Sequence, residues 1–256
     1  MILHNKTKEL WNKLAVFWDE SYQEGDIFHR TFLFPTFIKW TAATQGMRIL
    51  DIGCGNGALA RLFAKEGASV VATDFSKVFI DKAKERSEGL VIDYRVIDAT
   101  DSAQLNTLAD TGKFDRIISS MVLHDMSTIT PLMASLFKLL TPKGKFIFSV
   151  PHPCFNSGLV EMEQLKQCMD QNQLLLPNRY IKPEIFEIFS KPDQPVKQIC
   201  FHRPLSMLFN ELFRAGFVMS GFVEPVANTD KLPEDFLWAK LSDIPPAIIS
   251  CWEIKE

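Results

Sequence analysis

Between residues 46 and 150, short apolar runs alternate with longer stretches whose apolar residues recur every three or four positions. The short runs predict buried strands and the longer stretches predict amphipathic helices. Five strands are predicted in this region, at residues 48–52, 69–74, 91–97, 114–120 and 145–150. Because strands that alternate with helices build a parallel sheet with helices on both faces, the chain is predicted to be an α/β protein.

The length of 256 residues is typical of one domain, in which four segments differ in amino-acid composition and pattern. Residues 1–45 are rich in aromatic side chains and are predicted to form an N-terminal helical cap over the core at 46–150. Residues 151–203 hold six of the 14 prolines and are too long for a bare connection, so we predict an acceptor lid there. Residues 204–256 are predicted to form a closing helix and two strands.

The composition disfavours several classes of protein. A net charge of -3 provides no broad basic surface for nucleic acid, although a local basic groove stays possible. No apolar run is long enough for a membrane span, and no secretory signal is visible at the N-terminus. The five cysteines are odd in number and their spacing fits no zinc site, so we expect free thiols, a cytoplasmic protein and no metal.

A glycine loop, Asp51-Ile52-Gly53-Cys54-Gly55-Asn56-Gly57, follows the first predicted strand. Open α/β sheets bind ligands beyond the carboxyl ends of their strands, although such a loop can also be a plain strand–helix turn. Its GxGxG spacing differs from the GxGxxG of dinucleotide-binding proteins. The Asp51 carboxylate is unsuited to a pyrophosphate but suits an ammonium group, such as that of S-adenosylmethionine.

Three further segments lie at the same predicted edge of the sheet. Asp74 ends the second strand, where a carboxylate can accept hydrogen bonds from both ribose hydroxyls, or cap the helix for which Ser76 is the predicted N-cap. Asp98 can accept from an adenine amine with Phe75 against the ring, or be a solvated loop residue. The segment Ser119–His124 would lie beside the reactive sulfonium.

Together these segments resemble the class I S-adenosylmethionine-dependent methyltransferases, in particular the branch that methylates small molecules. The resemblance covers roughly residues 45–150 and the closing elements after 203. Five motifs carry it: Ile49–Gly57, Val71–Ser76, Ile97–Ala99, Phe114–His124 and Leu140–Val150. It implies a Rossmann-like, seven-stranded, mostly parallel sheet with an antiparallel last strand, and S-adenosylmethionine as cofactor with S-adenosylhomocysteine as product.

The resemblance also implies roles for individual residues. Gly53 and Gly55 would contact the methionine moiety, Asp74 the ribose, and Asp98 the adenine. The predicted cofactor site comprises Asp51, Gly53, Cys54, Gly55, Asp74, Phe75, Ser76, Asp98, Ala99, Ser119 and Met121. Some bacterial members also share the end segments, here Trp11–Trp18, His29-Arg30, Pro151–Phe155 and His202–Leu205.

Methyl transfer from a sulfonium depends mainly on alignment and exclusion of water, and a base matters when the acceptor is a hydroxyl. His124, just after the fourth strand, is the first candidate for a catalytic base, and His152 is the second. His29 and His202 are further possibilities, and each histidine has an alternative role in packing. The predicted acceptor contacts are Trp18, His29, Arg30 and Arg203, where an arginine would pair with a carboxylate.

The sequence therefore predicts a methyltransferase that acts on a small molecule by in-line displacement. Two alternatives stay open, namely a methyltransferase that acts on RNA or protein, and a non-catalytic module that binds S-adenosylmethionine. A nicotinamide-dependent oxidoreductase fits the glycine spacing poorly. The acceptor, the methylated atom and the oligomeric state are not specified by the sequence.

Overall fold

The computed structural model of the protein describes residues 2–156, 180–226, 232–233, 236–241 and 243–255. Nine strands are present in these ranges. They are β1 (Arg48–Ile52), β2 (Ser69–Asp74), β3 (Ile92–Val96), β4 (Phe114–Ser120), β5 (Leu140–Pro151), β6 (Glu184–Ile188), β7 (Gln198–His202), β8 (Phe217–Val223) and β9 (Ala247–Ile254).

Seven of these strands form the main sheet, in the order β3-β2-β1-β4-β5-β9-β8. The pairs from β3 to β5 are parallel, and β9 is antiparallel to both of its neighbours, β5 and β8. The predicted fold class is confirmed. Strand order reverses between β1 and β4, and a crevice at such a switch point is where open α/β sheets bind ligands.

Seven α-helices lie in the described ranges: α1 (Ile2–Tyr22), α2 (Phe34–Thr41), α3 (Ala58–Lys65), α4 (Lys77–Arg86), α5 (Ser102–Ala109), α6 (Thr130–Leu139) and α7 (Leu205–Arg214). Ser76 caps α4 as predicted, since its side chain accepts a hydrogen bond from the Phe79 amide. Proline occupies the first turn of α6, where its missing N–H costs nothing.

Side chains alternate across the sheet and feed two apolar layers. In β1, Leu50 and Ile52 pack on one face with α5, α6 and α7, while Ile49 packs on the other face with α2, α3 and α4. The inner strands β1, β2 and β4 are largely buried on both faces, which explains why they are nearly continuous apolar runs in the sequence.

The start of β5 differs from the prediction. Residues 141–144 are predicted as a turn before a strand at 145, but β5 already begins at Leu140, which pairs with Phe114. The register then shifts between Phe114 and Arg116, where Arg116 pairs with Lys145. Residues 141–144 therefore bulge within a strand, because the Leu140 pairing extends the strand past the turn-forming sequence.

The predicted cap and lid both contain regular structure. Within residues 1–45, α1 is followed by a π-helical turn at His29–Leu33 and by α2. Within 151–203, β6 and β7 form an antiparallel hairpin, which is not predicted from the sequence. Residues 157–179 of this segment lie outside the described ranges. Helix α1 contacts both α4 and β7, so it runs from the core to the hairpin. The boundaries of the four segments stay predictions.

Candidate active site

A cavity of about 720 Å³ lies at the carboxyl ends of β1, β2 and β4. Its floor is made by the glycine loop, Asp74 and the segment after β4, and its roof by α1 and the β6–β7 hairpin. Much of its wall is aromatic, with contributions from Trp11, Trp18, Tyr22, Phe79, Phe186 and Phe189. A largely apolar, concave site with a few convergent polar groups is typical of small-molecule binding.

The glycine loop has the backbone conformation that its sequence predicts. Gly53, Gly55 and Gly57 have φ angles of +70°, +53° and +80°, which side chains other than glycine rarely adopt. A Cβ atom on Gly53 would collide with the Val122 side chain. The Gly53 and Cys54 amides donate to the Thr73 carbonyl at 2.7 and 2.9 Å, so the loop folds back over the end of β2.

Two predicted site residues, Asp51 and Asp74, have their carboxyl groups at the floor of the cavity, where the charge of Asp74 acts on Asp51. Burial, together with the Asp74 charge, raises the pKa of Asp51 to about 8. Burial raises the pKa of Asp74 to about 6, against the lowering effect of hydrogen bonds from the Ser76 and Gly55 amides at 2.8 and 3.0 Å. A cation bound beside these groups would restore their ionised forms, which fits a ligand with an ammonium group.

Asp98 and Ala99 lie outside the cavity lining, as do Ser76 and Ser119. The Asp98 carboxylate is bonded within the protein: Oδ2 lies 2.6 Å from His4 Nε2, and Oδ1 accepts from the Thr100 amide and hydroxyl. The N-terminal part of α1 thus contacts the group that is predicted to bind adenine.

Helix α1 is attached across the strand ends by polar contacts as well as aromatic ones. These contacts are His4 with Asp98, Asn12 with Ser76, and Asp19 with both Arg86 and Asn56. The indole N–H groups of Trp11 and Trp18 are buried and have no hydrogen-bond partner among the described residues. Both rings line the cavity, but their nitrogen atoms have almost no accessible surface, so a ring must shift before a ligand can reach its N–H group.

The segment after β4 brings two predicted residues into the cavity. Met121 lines it with a φ of +57°, and its amide donates to the Ser149 carbonyl at 3.1 Å. Ser119 is fully buried in the sheet, whereas Ser120 lines the cavity. Side-chain alternation along β4 explains the difference, because neighbouring residues of a strand point to opposite faces.

His124 lies in the cavity wall as predicted, but in a strongly shielded setting. Burial and the nearby charge of Arg203 lower the pKa of His124 to about 3, so its imidazole is neutral at physiological pH. Arg203 also lines the cavity, yet its guanidinium donates to the carbonyls of Leu123 and Met126 at 2.9 and 2.6 Å. Arg203 therefore holds the backbone around His124, and these donors are already used.

His152, the second predicted base, does not line the cavity. Its Nε2 lies 2.8 Å from Glu224 Oε1, and its Nδ1 accepts from the Cys154 amide at 3.1 Å. Both ring nitrogens are thus engaged in structural contacts. Of the predicted acceptor contacts, Trp18 and His29 line the cavity with Arg203, whereas Arg30 is exposed and lies outside it.

Asp26 and Lys191 also line the cavity, although neither is predicted from the sequence as a site residue. Asp26 Oδ1 lies 2.7 Å from His29 Nδ1, and Asp26 Oδ2 lies 2.7 Å from Lys191 Nζ. The Lys191 ammonium also lies 4.6 Å from the ring centre of Trp18. An aspartate three residues before a histidine was the available signal for Asp26; no local signal pointed to Lys191.

One group of described residues has a composition that could hold a metal ion, namely His124, Asp125 and Cys200, whose ligand atoms lie within 4.8 Å of one another. The Cys200 thiol lies 3.6 Å from Asp125 Oδ1 and donates to it. Burial raises the pKa of both Asp125 and Cys200, which favours their protonated forms. We therefore describe this group as a hydrogen-bonded polar cluster.

The comparisons with known proteins agree with this geometry. Residues 50–148 match the family model described as a methyltransferase domain. Residues 50–148 are thus similar to a methyltransferase domain. This stretch contains the glycine loop, Asp74 and the segment after β4, so the matched residues include most of the cavity floor. The resemblance inferred from the sequence motifs is confirmed.

Among curated proteins, the chain is similar to ubiquinone biosynthesis O-methyltransferases. It is 32% identical over 155 residues to that of Histophilus somni, covering 58% of this chain and 64% of the relative. It is 36% identical over 106 residues to that of Actinobacillus pleuropneumoniae serotype 7, covering 41% and 45%. The chain thus spans about half the length of these relatives.

Solved structures share the fold over a longer stretch. An S-adenosylmethionine-dependent methyltransferase from Mesorhizobium loti superposes with a TM-score of 0.65 at 22% identity, covering 86% of this chain and 96% of that one. Magnesium protoporphyrin IX methyltransferase from Synechocystis, solved with bound SAH, gives a TM-score of 0.61 at 15% identity, covering 98% and 99%. No described helix is both long and apolar enough to cross a membrane.

Proposed function

We propose that this protein transfers the methyl group of S-adenosylmethionine to a small-molecule acceptor. The observation that carries the proposal is the convergence, in one aromatic cavity, of the glycine loop and two buried carboxyl groups, Asp51 and Asp74. The similar curated proteins are O-methyltransferases. The aromatic roof supports an acceptor with a flat apolar part.

The residues present fit two polar groups of the cofactor, its ammonium group and its ribose. The backbone at Gly53 leaves no room for a Cβ atom, which keeps the floor of the site narrow. Asp51 would accept from the ammonium group, and Asp74 from the ribose hydroxyls. When bound, the sulfonium supplies an activated methyl group.

The roof residues would align the acceptor and keep water away. Trp11 and Trp18 lie with their ring centres 6.0 Å apart, and Phe186 on the hairpin lines the same cavity. A closed apolar roof holds an acceptor in line with the methyl group, which supplies much of the rate of such a displacement. We propose that residues 151–203 form the lid that selects the acceptor.

We also propose a cytoplasmic location. The four described cysteines, Cys54, Cys154, Cys200 and Cys251, are free thiols. Unpaired cysteines are the usual state in a reducing compartment.

The first test is binding of S-adenosylhomocysteine, measured by the melting temperature. A ligand present at 100 times its Kd stabilises the native state by about 2.7 kcal/mol, which raises Tm by roughly 5–10 °C in a chain of this size. Asp74→Asn should lose most of this shift. Asp93→Asn, which changes an exposed aspartate on the neighbouring strand, should keep it. No shift of the wild type at millimolar ligand would contradict the proposal.

The second test identifies the class of acceptor. Wild-type protein is incubated with methyl-labelled S-adenosylmethionine and a cell extract, which is then separated by ultrafiltration into small and large molecules. Label in the small-molecule fraction supports the proposal. Label that is retained with the large molecules and released by RNase or protease would overturn the small-molecule assignment.

A further inference from the structure

The π-helical turn at His29–Leu33 is an unusual feature of the cavity wall. π-helical geometry is rare, and it is frequently found at functional sites. The turn begins at His29, the residue of this element whose ring lines the cavity. It follows Gly25, whose φ is +97° and at which a Cβ atom would collide with the Phe34 ring. The local backbone is therefore shaped to bring His29 to the cavity.

Asp26 fixes the orientation and the tautomer of the His29 ring. Asp26 Oδ1 lies 2.7 Å from His29 Nδ1 and also accepts from the His29 amide at 3.1 Å. A carboxylate only accepts, so Nδ1 carries the proton and Nε2 keeps a lone pair. No hydrogen bond to Nε2 is found among the described residues. The Tyr22 ring packs edge-on against the imidazole, with ring centres 4.6 Å apart.

The carboxylate of Asp26 stays charged in this setting. Burial raises its pKa, but hydrogen bonds from His29 and Lys191 and the charges of both outweigh burial and hold the pKa well below the usual range. The titratable groups that pack around the ring and its partner are Asp26 before the turn, Tyr22 on α1 and Lys191 between β6 and β7. Asp26 can therefore stabilise a proton on His29.

The other histidines of the cavity are less suited to accept a proton. His124 has its pKa lowered to about 3 by burial and by Arg203. His202 Nε2 lies 2.7 Å from the Tyr180 carbonyl and must donate to it, so that nitrogen has no free lone pair. His152 forms a comparable pair with Glu224 but does not line the cavity.

We propose that His29 is the general base of the methyl transfer and that Asp26 is its positioning residue, with a hydroxyl group on the acceptor. This inference rests on the proposed function. As the acceptor oxygen forms its bond to the methyl carbon, the carbon–sulfur bond breaks and its electron pair stays on sulfur. The hydroxyl proton passes to His29 Nε2 and afterwards to solvent, while Asp26 stabilises the imidazolium.

The test uses the full chain with three variants, His29→Gln, Asp26→Asn and Asp93→Asn. Affinity for S-adenosylhomocysteine is measured by calorimetry, and methyl transfer is measured with labelled S-adenosylmethionine and the small-molecule fraction of a cell extract. We expect His29→Gln to bind S-adenosylhomocysteine within about twofold of wild type and to lose about 100-fold or more in transfer rate. Asp93→Asn is the matched control for Asp26→Asn, because Asp93 is exposed and lies outside the cavity, and we expect it to keep the wild-type rate.

The pH profile separates positioning from a general loss of structure. Asp26→Asn removes the negative charge beside the imidazole, so the acid limb of the rate–pH profile should move to lower pH. In His29→Gln this limb should disappear. A third readout needs no acceptor: the ¹⁵N NMR shifts of the wild-type His29 ring should show a protonated Nδ1 and an unprotonated Nε2.

The outcomes distinguish the two proposals. If the wild type labels nothing, the proposed function fails, and this inference fails with it. If the wild type labels an acceptor and folded His29→Gln does so at the same rate, His29 is not the base although the function stands. An unchanged acid limb in Asp26→Asn, or a protonated Nε2 in the wild-type ring, would equally overturn the assignment.

Discussion

The buried carboxyl group of Asp51 should make the protein without ligand less stable as the pH rises. Burial and the Asp74 charge raise the pKa of Asp51 from its usual 3.8 to about 8. In the unfolded chain the group ionises near pH 3.8, so each pH unit between these two values costs about 1.4 kcal/mol of folding free energy. At pH 7 the cost amounts to roughly 4 kcal/mol, and below pH 3.8 it vanishes.

Asp51→Asn removes this ionisation while it keeps the shape of the side chain. Its amide N–H groups then need partners, and an unpaired buried polar group costs about 1–3 kcal/mol. We expect a net gain of about 2–4 kcal/mol at pH 8, which corresponds to a rise in Tm of roughly 4–16 °C. At pH 4.5 the gain should be absent, because the remaining ionisation cost of about 1 kcal/mol no longer exceeds the cost of the unpaired amide.

The assay is thermal unfolding of both proteins without ligand at pH 4.5, 6 and 8, followed by circular dichroism. Asp93→Asn, on the exposed side of β3, serves as the control, and its Tm should differ from that of the wild type by a similar amount at all three pH values. S-adenosylhomocysteine should raise the Tm of the wild type more than that of Asp51→Asn, because the ammonium partner is lost. A difference in Tm between wild type and Asp51→Asn that is the same at pH 4.5 and pH 8 would refute the reasoning.

Three further predictions concern the floor and the wall of the cavity. Gly53→Ala should lower Tm more than Gly46→Ala. Both glycines have a positive φ, but a Cβ on Gly53 would collide with Val122, whereas no atom lies within 4 Å of a Cβ on Gly46. Equal losses of Tm would mean that the collision with Val122 is unimportant. Asp74→Ala should weaken binding of S-adenosylhomocysteine at least tenfold in calorimetry while the far-ultraviolet spectrum stays native; unchanged affinity would remove it from the site. Arg203→Met should lower stability to urea by about 2–4 kcal/mol, because buried carbonyls lose their donors; a neutral result would show that water replaces the guanidinium.

The sheet was predictable because its signals are local. The apolar runs of β2 and β4 predict the observed bounds, Ser69–Asp74 and Phe114–Ser120. The start of β5 was mispredicted because a distant pairing with Phe114 extends the strand beyond its local signal. The β6–β7 hairpin was missed because its strands are short and lie in a proline-rich stretch.

Site residues were predictable only where they lie near the ends of neighbouring strands. Asp51 and Asp74 end neighbouring strands, so their proximity follows from the sheet. The pair of Asp26 with Lys191 joins segments that are far apart in the chain, and nothing in either segment specifies the other. Asp98 was placed correctly at a strand end, but its contact with His4 depends on how α1 crosses the sheet.

The course of α1 has a kinetic consequence. The helix contacts Asp98, which follows β3, through His4, and it also contacts β7, whose residues line the cavity. Because α1 is one continuous helix, Ile2–Tyr22, these contacts are lost together when the whole helix moves away from the strand ends. We therefore expect the two reaction products to leave after one shared opening step, so that their dissociation rate constants approach a common limit that is independent of their individual affinities.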